Sequence, residues 1–195
     1  MIPIFIFLMT LLSSGFSESG VDEANLKIIE QFLSSMTTLK ADMEMDIFVN
    51  GRRSNHFEGK IWLDRRKELL RINYGKDKMI AKNGMLFVYQ EGQETQKFDA
   101  TDTPAGILLK PSINFNDKKI AIKNFVKNDE RWELFLTYDS PVGQIPVTLF
   151  FKPLPVMILL GWEIQNPDGS ITKVCLDPSQ THMSISIDSS IFCAK

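Results

Sequence analysis

The stretch Phe57-Glu58-Gly59-Lys60-Ile61-Trp62-Leu63-Asp64-Arg65-Arg66 decides the fold, because apolar and polar residues alternate along it. Alternate side chains of an extended strand point to opposite faces, so Phe57, Ile61 and Leu63 share one face. Arg65 falls on that same face. Burying an unpaired charge costs several kcal/mol, so Arg65 is predicted either to find acceptors or to lie at a rim.

Two hairpins follow this stretch. The residues from Leu69 to Tyr74 alternate again, which predicts the second strand of the first hairpin. Asn83-Gly84 then separates Met79-Ile80-Ala81 from the apolar run Met85 to Tyr89. Asn-Gly accepts the positive φ values of a type I′ turn, so it predicts a second hairpin. Consecutive hairpins form an antiparallel meander with one apolar face.

Similar patterns recur along the rest of the chain. Helical spacing of apolar residues predicts an amphipathic helix from Asp22 to Met36. Further strands are predicted over residues 43–47, 120–127, 131–138, 145–151, 156–164, 171–176 and 184–188. About ten short strands, two or three helices and no alternation of strand and helix indicate a mainly β protein with helices (α+β), built on one curved antiparallel sheet.

A short helix is predicted over residues 103–109. Asp102 or Thr103 can cap it, Pro104 suits its first turn, and Pro111 follows its end. The run Ile107-Leu108-Leu109 is too apolar for a free surface loop. The residues alone leave two interpretations open: a movable plug over an apolar cavity, or an ordinary core helix.

Composition limits the class of protein. A chain of 195 residues that is 44% hydrophobic suits one domain with a sizeable core. The formal net charge is −2, with acidic and basic residues spread along the chain, so the sequence shows no polybasic footprint for nucleic acid or anionic lipid.

The N-terminal residues resemble a secretory signal peptide. Met1 to Leu12 is apolar and small residues follow, which predicts a signal peptide over residues 1–17 and a mature domain over 18–195. The alternative is a short membrane anchor, although a spanning helix needs about 20 apolar residues. Cys175 and Cys193 both fall in the mature part, either as a disulfide or as two buried thiols.

Catalytic signatures are missing from the sequence. It contains no Gly-x-Ser-x-Gly elbow, no Cys-His signature and no Gly-rich phosphate loop. His56 and His182 lack the spacing of metal ligands. We therefore expect no enzyme activity, no metal site and no cofactor.

Several motifs, taken in order, resemble the LolA family of periplasmic outer-membrane lipoprotein carriers. They are Gly59-x-Ile61-Trp62-x-x-Arg65, the Asn83-Gly84 hairpin ending in Tyr89, Asp102-Thr103-Pro104-Ala105 followed by Ile107-Leu108-Leu109, and the late turn Asp168-Gly169. The resemblance implies an unclosed antiparallel barrel with a helical lid over a hydrophobic interior. It also implies a periplasmic monomer that carries lipoprotein acyl chains from an inner-membrane ABC releasing complex to an outer-membrane receptor.

The resemblance assigns roles to residues as well. Arg65 would hold the lid helix, formed by Thr103, Pro104, Ile107, Leu108 and Leu109, while the cavity is empty. The expected cavity lining is Met43, Met45, Ile61, Leu63 and Phe87. Two positions depart from the family pattern: Arg66 replaces a usual proline, and Arg71 stands where many members carry an aromatic residue. Two other functions stay open, a periplasmic lipid- or lipoprotein-sensing adaptor with the same half-barrel and a lipid-modifying enzyme.

Overall fold

Twelve strands make up one antiparallel sheet in the computed structural model, which describes residues 23–153 and 155–193. The expected signal peptide, residues 1–17, lies outside the described residues. Two α-helices, α1 (Glu23–Ser35) and α2 (Ala105–Leu109), accompany the sheet. The strands are β1 (Thr38–Val49), β2 (Arg52–Asp64), β3 (Leu69–Tyr74), β4 (Asp77–Lys82), β5 (Met85–Tyr89), β6 (Gln96–Asp99), β7 (Ile120–Lys127), β8 (Trp132–Ser140), β9 (Gly143–Lys152), β10 (Ile158–Gln165), β11 (Ile171–Leu176) and β12 (His182–Met183).

The strand order is β6-β5-β4-β3-β2-β1-β11-β10-β9-β8-β7, with β12 paired to the start of β1. Two meanders therefore join where β1 pairs with β11, and β6 and β7 end the sheet on either side. Asn83 and Gly84 have φ values of 52° and 75°, as the type I′ turn between β4 and β5 requires. The predicted fold class, an unclosed antiparallel sheet with helices, is confirmed, with twelve strands rather than about ten.

The core lies on the inner face of the sheet, where the predicted alternation places it. Along β9, Ile145, Val147, Leu149 and Phe151 are all buried, and β8 shows the same period. Helix α1 covers part of this face with Ile29 and Leu33, both fully buried. Burying such a side chain contributes about 1.5–3 kcal/mol, so packing rather than intrinsic propensity holds the helix.

The C-terminal residues correct one prediction. Residues 184–188 do not form a strand, because Ser184 takes a φ of 57° and ends the pairing after β12. The chain then bonds the start of β1, where Thr38 Oγ1 donates to the carbonyl of Ile185 at 2.7 Å. The last element of the described residues is a 3₁₀ turn, Ser189–Phe192, that packs against β3 and β4.

Cys175 and Cys193 are free thiols, and both are exposed. Neither the disulfide nor the pair of buried thiols is found. Cys175 lies on β11, whereas the carbonyl of Cys193 accepts a hydrogen bond from Arg71 of β3. Three strand spacings of about 4.8 Å separate β11 from β3, well beyond the reach of about 7 Å between the Cα atoms of a disulfide.

Neither α-helix within residues 23–153 and 155–193 has the length and apolar character needed to cross a membrane.

Candidate functional site

An apolar cavity of about 160 Å³ lies between the inner face of the sheet and α2. Strands from both meanders form its wall, including Leu70 of β3, Val147 of β9 and Trp162 of β10. Among the described residues that line it, all are apolar except Thr103 and Thr172. The space therefore offers an acyl or other hydrocarbon group nonpolar contacts and very few polar ones.

Helix α2 and the residues just before it form the roof of this cavity, and we call residues 100–110 the lid. A 3₁₀ turn, Ala100–Asp102, leads into the helix, and Pro104 stands at its N-terminal end with a helical φ of −56°. Gly106 to Leu109 are all buried. An isolated helix of five residues is not stable in water. Contacts with the rest of the protein must therefore hold the lid in place.

Arg65 is the main polar contact at the C-terminal end of the lid. It lies just after β2, at the start of a 3₁₀ turn, with only 1% of its surface exposed. Its Nε donates to the carbonyl of Leu108 at 2.8 Å, one Nη donates to Ile107 at 3.4 Å, and the other donates to Leu33 of α1. These carbonyls belong to the last turns of two helices, where they lack partners within the helix and carry the negative end of the dipole.

The Arg65 site is thus a buried cation held by backbone carbonyls. Burial lowers the pKa of Arg65 to about 10, which still leaves the guanidinium protonated at neutral pH. Hydrogen bonds from a charged donor are worth about 1.5–3 kcal/mol, more than those between neutral groups. The same side chain therefore links α1, the sheet and the lid.

Tyr138 of β8 binds the opposite end of the lid. Its hydroxyl donates to the carbonyl of Thr101 at 2.5 Å, and Lys119 Nζ donates to the same carbonyl at 2.8 Å. Burial, followed by the nearby carboxylate of Asp117, raises the pKa of Tyr138 to about 12. Gly106 permits this approach, because a Cβ there would lie 2.9 Å from the Tyr138 hydroxyl. Arg65, from the meander of β1 to β6, therefore holds the C-terminal end of the lid, and Tyr138, from the meander of β7 to β11, holds its N-terminal end.

The predicted lid residues lie together. Thr103, Pro104, Ile107 and Leu108 line the cavity. Leu109 faces a separate hollow of about 50 Å³ between the lid and the turn after β4.

Of the expected lining residues, Met45 alone lines the cavity. Met43, Ile61 and Leu63 are buried in the same core but do not line the cavity. Phe87 was assigned to the wrong face: it pairs with Ile80 and Lys97 on the outer face, while its neighbour Leu86 points inward.

Sequence reasoning did not single out Tyr138, nor the lining residues Leu86, Val147 and Trp162. One signal for Tyr138 was present. It ends an apolar row on β8, and a buried tyrosine hydroxyl usually requires a partner.

A second, larger hollow of about 620 Å³ lies on the outer face, over β2, β1 and β11. Asp42, Glu44, Glu58 and Asp177 contribute to its lining, so it does not suit a hydrocarbon chain. Among the described residues, no group of three or more His, Cys, Asp or Glu side chains is placed to hold a metal ion.

The fold is similar to that of a solved structure, and two others superpose less well. A LolA superfamily protein from Nitrosomonas europaea superposes with a TM-score of 0.50 at 7% sequence identity, over 86% of this chain and 97% of that chain. A DUF1329 family protein from Desulfovibrio piger gives 0.48 at 9% identity, over 86% and 94% of the two chains. The lipoprotein LppX from Mycobacterium tuberculosis gives 0.44 at 9% identity, over 86% and 98%. No family model and no curated protein matches the sequence. The chain therefore has a LolA-like fold, an unclosed sheet with a helix over its inner face.

Proposed function

We propose that this protein is a periplasmic carrier that binds the acyl chains of lipoproteins in the apolar cavity and shuttles them from the inner to the outer membrane. One observation carries the proposal: an apolar cavity is roofed by a short helix whose last carbonyls are held by the buried Arg65. The LolA-like fold supports the same interpretation.

The cavity volume indicates that the lid has to move when a chain binds. Pockets for drug-sized ligands measure about 300–1,000 Å³, whereas the closed cavity measures about 160 Å³. Ile107 and Leu108 fill much of the space that a chain would take. Acyl chains and the lid therefore compete for the same inner surface.

The energies of this competition are comparable. Burial of Ile107 and Leu108 contributes about 3–6 kcal/mol, and each methylene withdrawn from water contributes about 0.8 kcal/mol. A chain that buries roughly four to eight methylenes offsets the apolar part of lid closure. Longer fatty chains bury more methylenes and so also offset the Arg65 hydrogen bonds. The free energy regained when the lid closes again favours release of the chain.

The proposed partners are those that the resemblance to the LolA family implies. An inner-membrane lipoprotein-releasing ABC complex delivers the cargo, and an outer-membrane receptor accepts it. The carrier acts as a monomer, needs no cofactor and catalyses no covalent step. Its recognition is limited to the acyl chains, because the cavity has almost no polar lining.

The substitution Arg65→Leu tests the proposal. It removes the donor to both lid carbonyls, so the variant should bind acylated lipoprotein released from inner-membrane vesicles but fail to pass it to acceptor membranes. Arg52→Leu is the matched control, because Arg52 is exposed at the start of the same strand and the variant should transfer normally. Normal transfer by the Arg65 variant would refute the assigned role.

Mass spectrometry of hydrophobic cargo eluted from the wild type should find acylated protein with unmodified chains. Stoichiometric binding to a membrane regulator without transfer would instead favour the adaptor.

A further inference from the structure

Three lysines surround two stacked aromatic rings on the outer face of β4, β5 and β6. We call Lys78, Lys82, Phe87, Tyr89 and Lys97 the basic aromatic patch. The rings of Phe87 and Tyr89 stack with their centroids 6.5 Å apart. Lys78 Nζ lies 5.0 Å from the centre of Tyr89, while Lys82 and Lys97 lie 5.8 and 5.9 Å from that of Phe87. The cavity on the other side of the sheet uses none of these side chains.

One carboxylate, that of Asp99, shares the outer face of β4, β5 and β6 with the three lysines. Asp99 is on the same face of β6, but its carboxylate accepts hydrogen bonds from the amide and hydroxyl of Thr101, at 2.8 and 2.7 Å. Glu91, just after β5, pairs with Lys76 at 2.9 Å. In the described part of the chain, neither Lys82 nor Lys97 forms an ion pair. The three lysines outnumber the one carboxylate on this face, so the patch is locally cationic on a chain whose net charge is −2.

The chemistry of the patch matches a lipid headgroup region. Half-exposed aromatic rings have an apolar body and prefer the boundary between water and hydrocarbon. Lysine stems lie along such rings while their ammonium groups reach outward, where anionic phosphates attract them. A folded acidic protein would pair with the lysines, but it would not offer the two rings a boundary between water and hydrocarbon.

The position of β6 connects this patch to the cavity. Strand β6 is the last strand on its side of the sheet. Lys97 points outward from it, whereas Phe98 points inward, is 43% exposed and pairs with the cavity residue Leu86. We propose that the basic aromatic patch docks on the surface of a membrane containing anionic phospholipid and brings the β6 edge of the cavity to that surface.

Co-sedimentation of the full chain with vesicles tests this inference. Binding is expected to vesicles containing phosphatidylglycerol and not to pure phosphatidylcholine, and it should weaken as salt shortens the Debye length. Each lysine near an anionic surface strengthens binding about fivefold, so Lys82→Glu with Lys97→Glu should weaken it at least about 25-fold. The matched control is Lys118→Glu with Lys123→Glu, two exposed lysines at the other edge of the sheet, which should retain binding.

The inference is overturned if the wild type ignores anionic vesicles, binds phosphatidylcholine equally, or loses equal affinity in the control variant. Binding to soluble polyglutamate as tightly as to vesicles would also overturn it, in favour of an acidic protein partner. Fatty-acid binding and circular dichroism should be unchanged in the Lys82 and Lys97 variant. These readouts separate a failure of membrane docking from a failure of the proposed carrier function or of folding.

Discussion

Replacing Tyr138 with phenylalanine removes one hydrogen bond of the lid and almost nothing else. The ring stays in the core, and the Thr101 carbonyl still accepts a hydrogen bond from Lys119 at 2.8 Å. The loss should therefore be close to the net value of one hydrogen bond, about 1 kcal/mol, without the extra cost of an unsatisfied carbonyl. We expect this loss to fall on the closed state of the lid.

That energy has a consequence for binding. A change of about 1 kcal/mol alters the ratio of closed to open lid about fivefold. When the open state is a small fraction of the population, apparent affinity scales with that fraction. Tyr138→Phe should therefore bind a fluorescent fatty acid about fivefold more tightly, although its unfolding free energy falls by about 1 kcal/mol.

The control is Tyr89→Phe, which removes a hydroxyl from the outer face and should leave affinity unchanged. Alkaline titration gives a second readout. The raised pKa of Tyr138, about 12 against about 10 for an unfolded tyrosine, means that its contribution to stability is complete below pH 10. This contribution is lost as pH rises through about 12, and the loss should be absent in the phenylalanine variant. Unchanged fatty-acid affinity despite the expected loss of stability would refute the link between this bond and lid opening.

Three further predictions concern the lid and the surface. Ala105→Phe places a ring in the cavity, so it should stabilise the closed protein and weaken fatty-acid binding about tenfold or more, whereas Val142→Phe, at a position 70% exposed, should do neither. Cys175 and Cys193 should both react with a thiol reagent in the native protein without prior reduction; a single disulfide found by mass spectrometry would contradict the structure. Lys110, the residue after α2, donates a hydrogen bond to the carboxylate of Asp117 and lowers its pKa. The contribution of this contact to stability therefore holds above about pH 4 and is lost on acidification. Asp117→Asn should flatten this acid dependence in denaturant titrations, and an unchanged profile would argue against the contact between Lys110 and Asp117.

Local patterns predicted most of the fold. The Asn83-Gly84 turn and the alternation along β9 depend on backbone geometry and a single buried face, which neighbouring residues reveal. Within each meander the strand order follows because successive strands pair with their neighbours, whereas the pairing of β1 with β11 joins distant parts of the chain. Residues 184–188 alternate too, but the positive φ at Ser184 and a bond to β1 overrode that pattern.

The site was less accessible from sequence. Strand β5 is apolar on both faces, so alternation could not tell whether Leu86 or Phe87 points inward. The Tyr138 contact joins residues 37 positions apart and depends on how the two meanders curve around the lid. The residues alone predicted that Arg65 would find acceptors or lie at a rim, because a buried cation needs partners whatever the fold. Its expected contact with the lid came from the resemblance to the LolA family.

The central claim is that an acyl chain enters the space under the lid, and quenching of Trp162 tests it most directly. Trp162 lines the cavity and is 6% exposed, so a variant with Trp62→Phe and Trp132→Phe reports from that cavity alone. A bromine-labelled fatty acid should quench this variant in a saturable way, with one fatty acid per protein. Fatty-acid binding that leaves Trp162 unquenched would place the chain elsewhere and contradict the account.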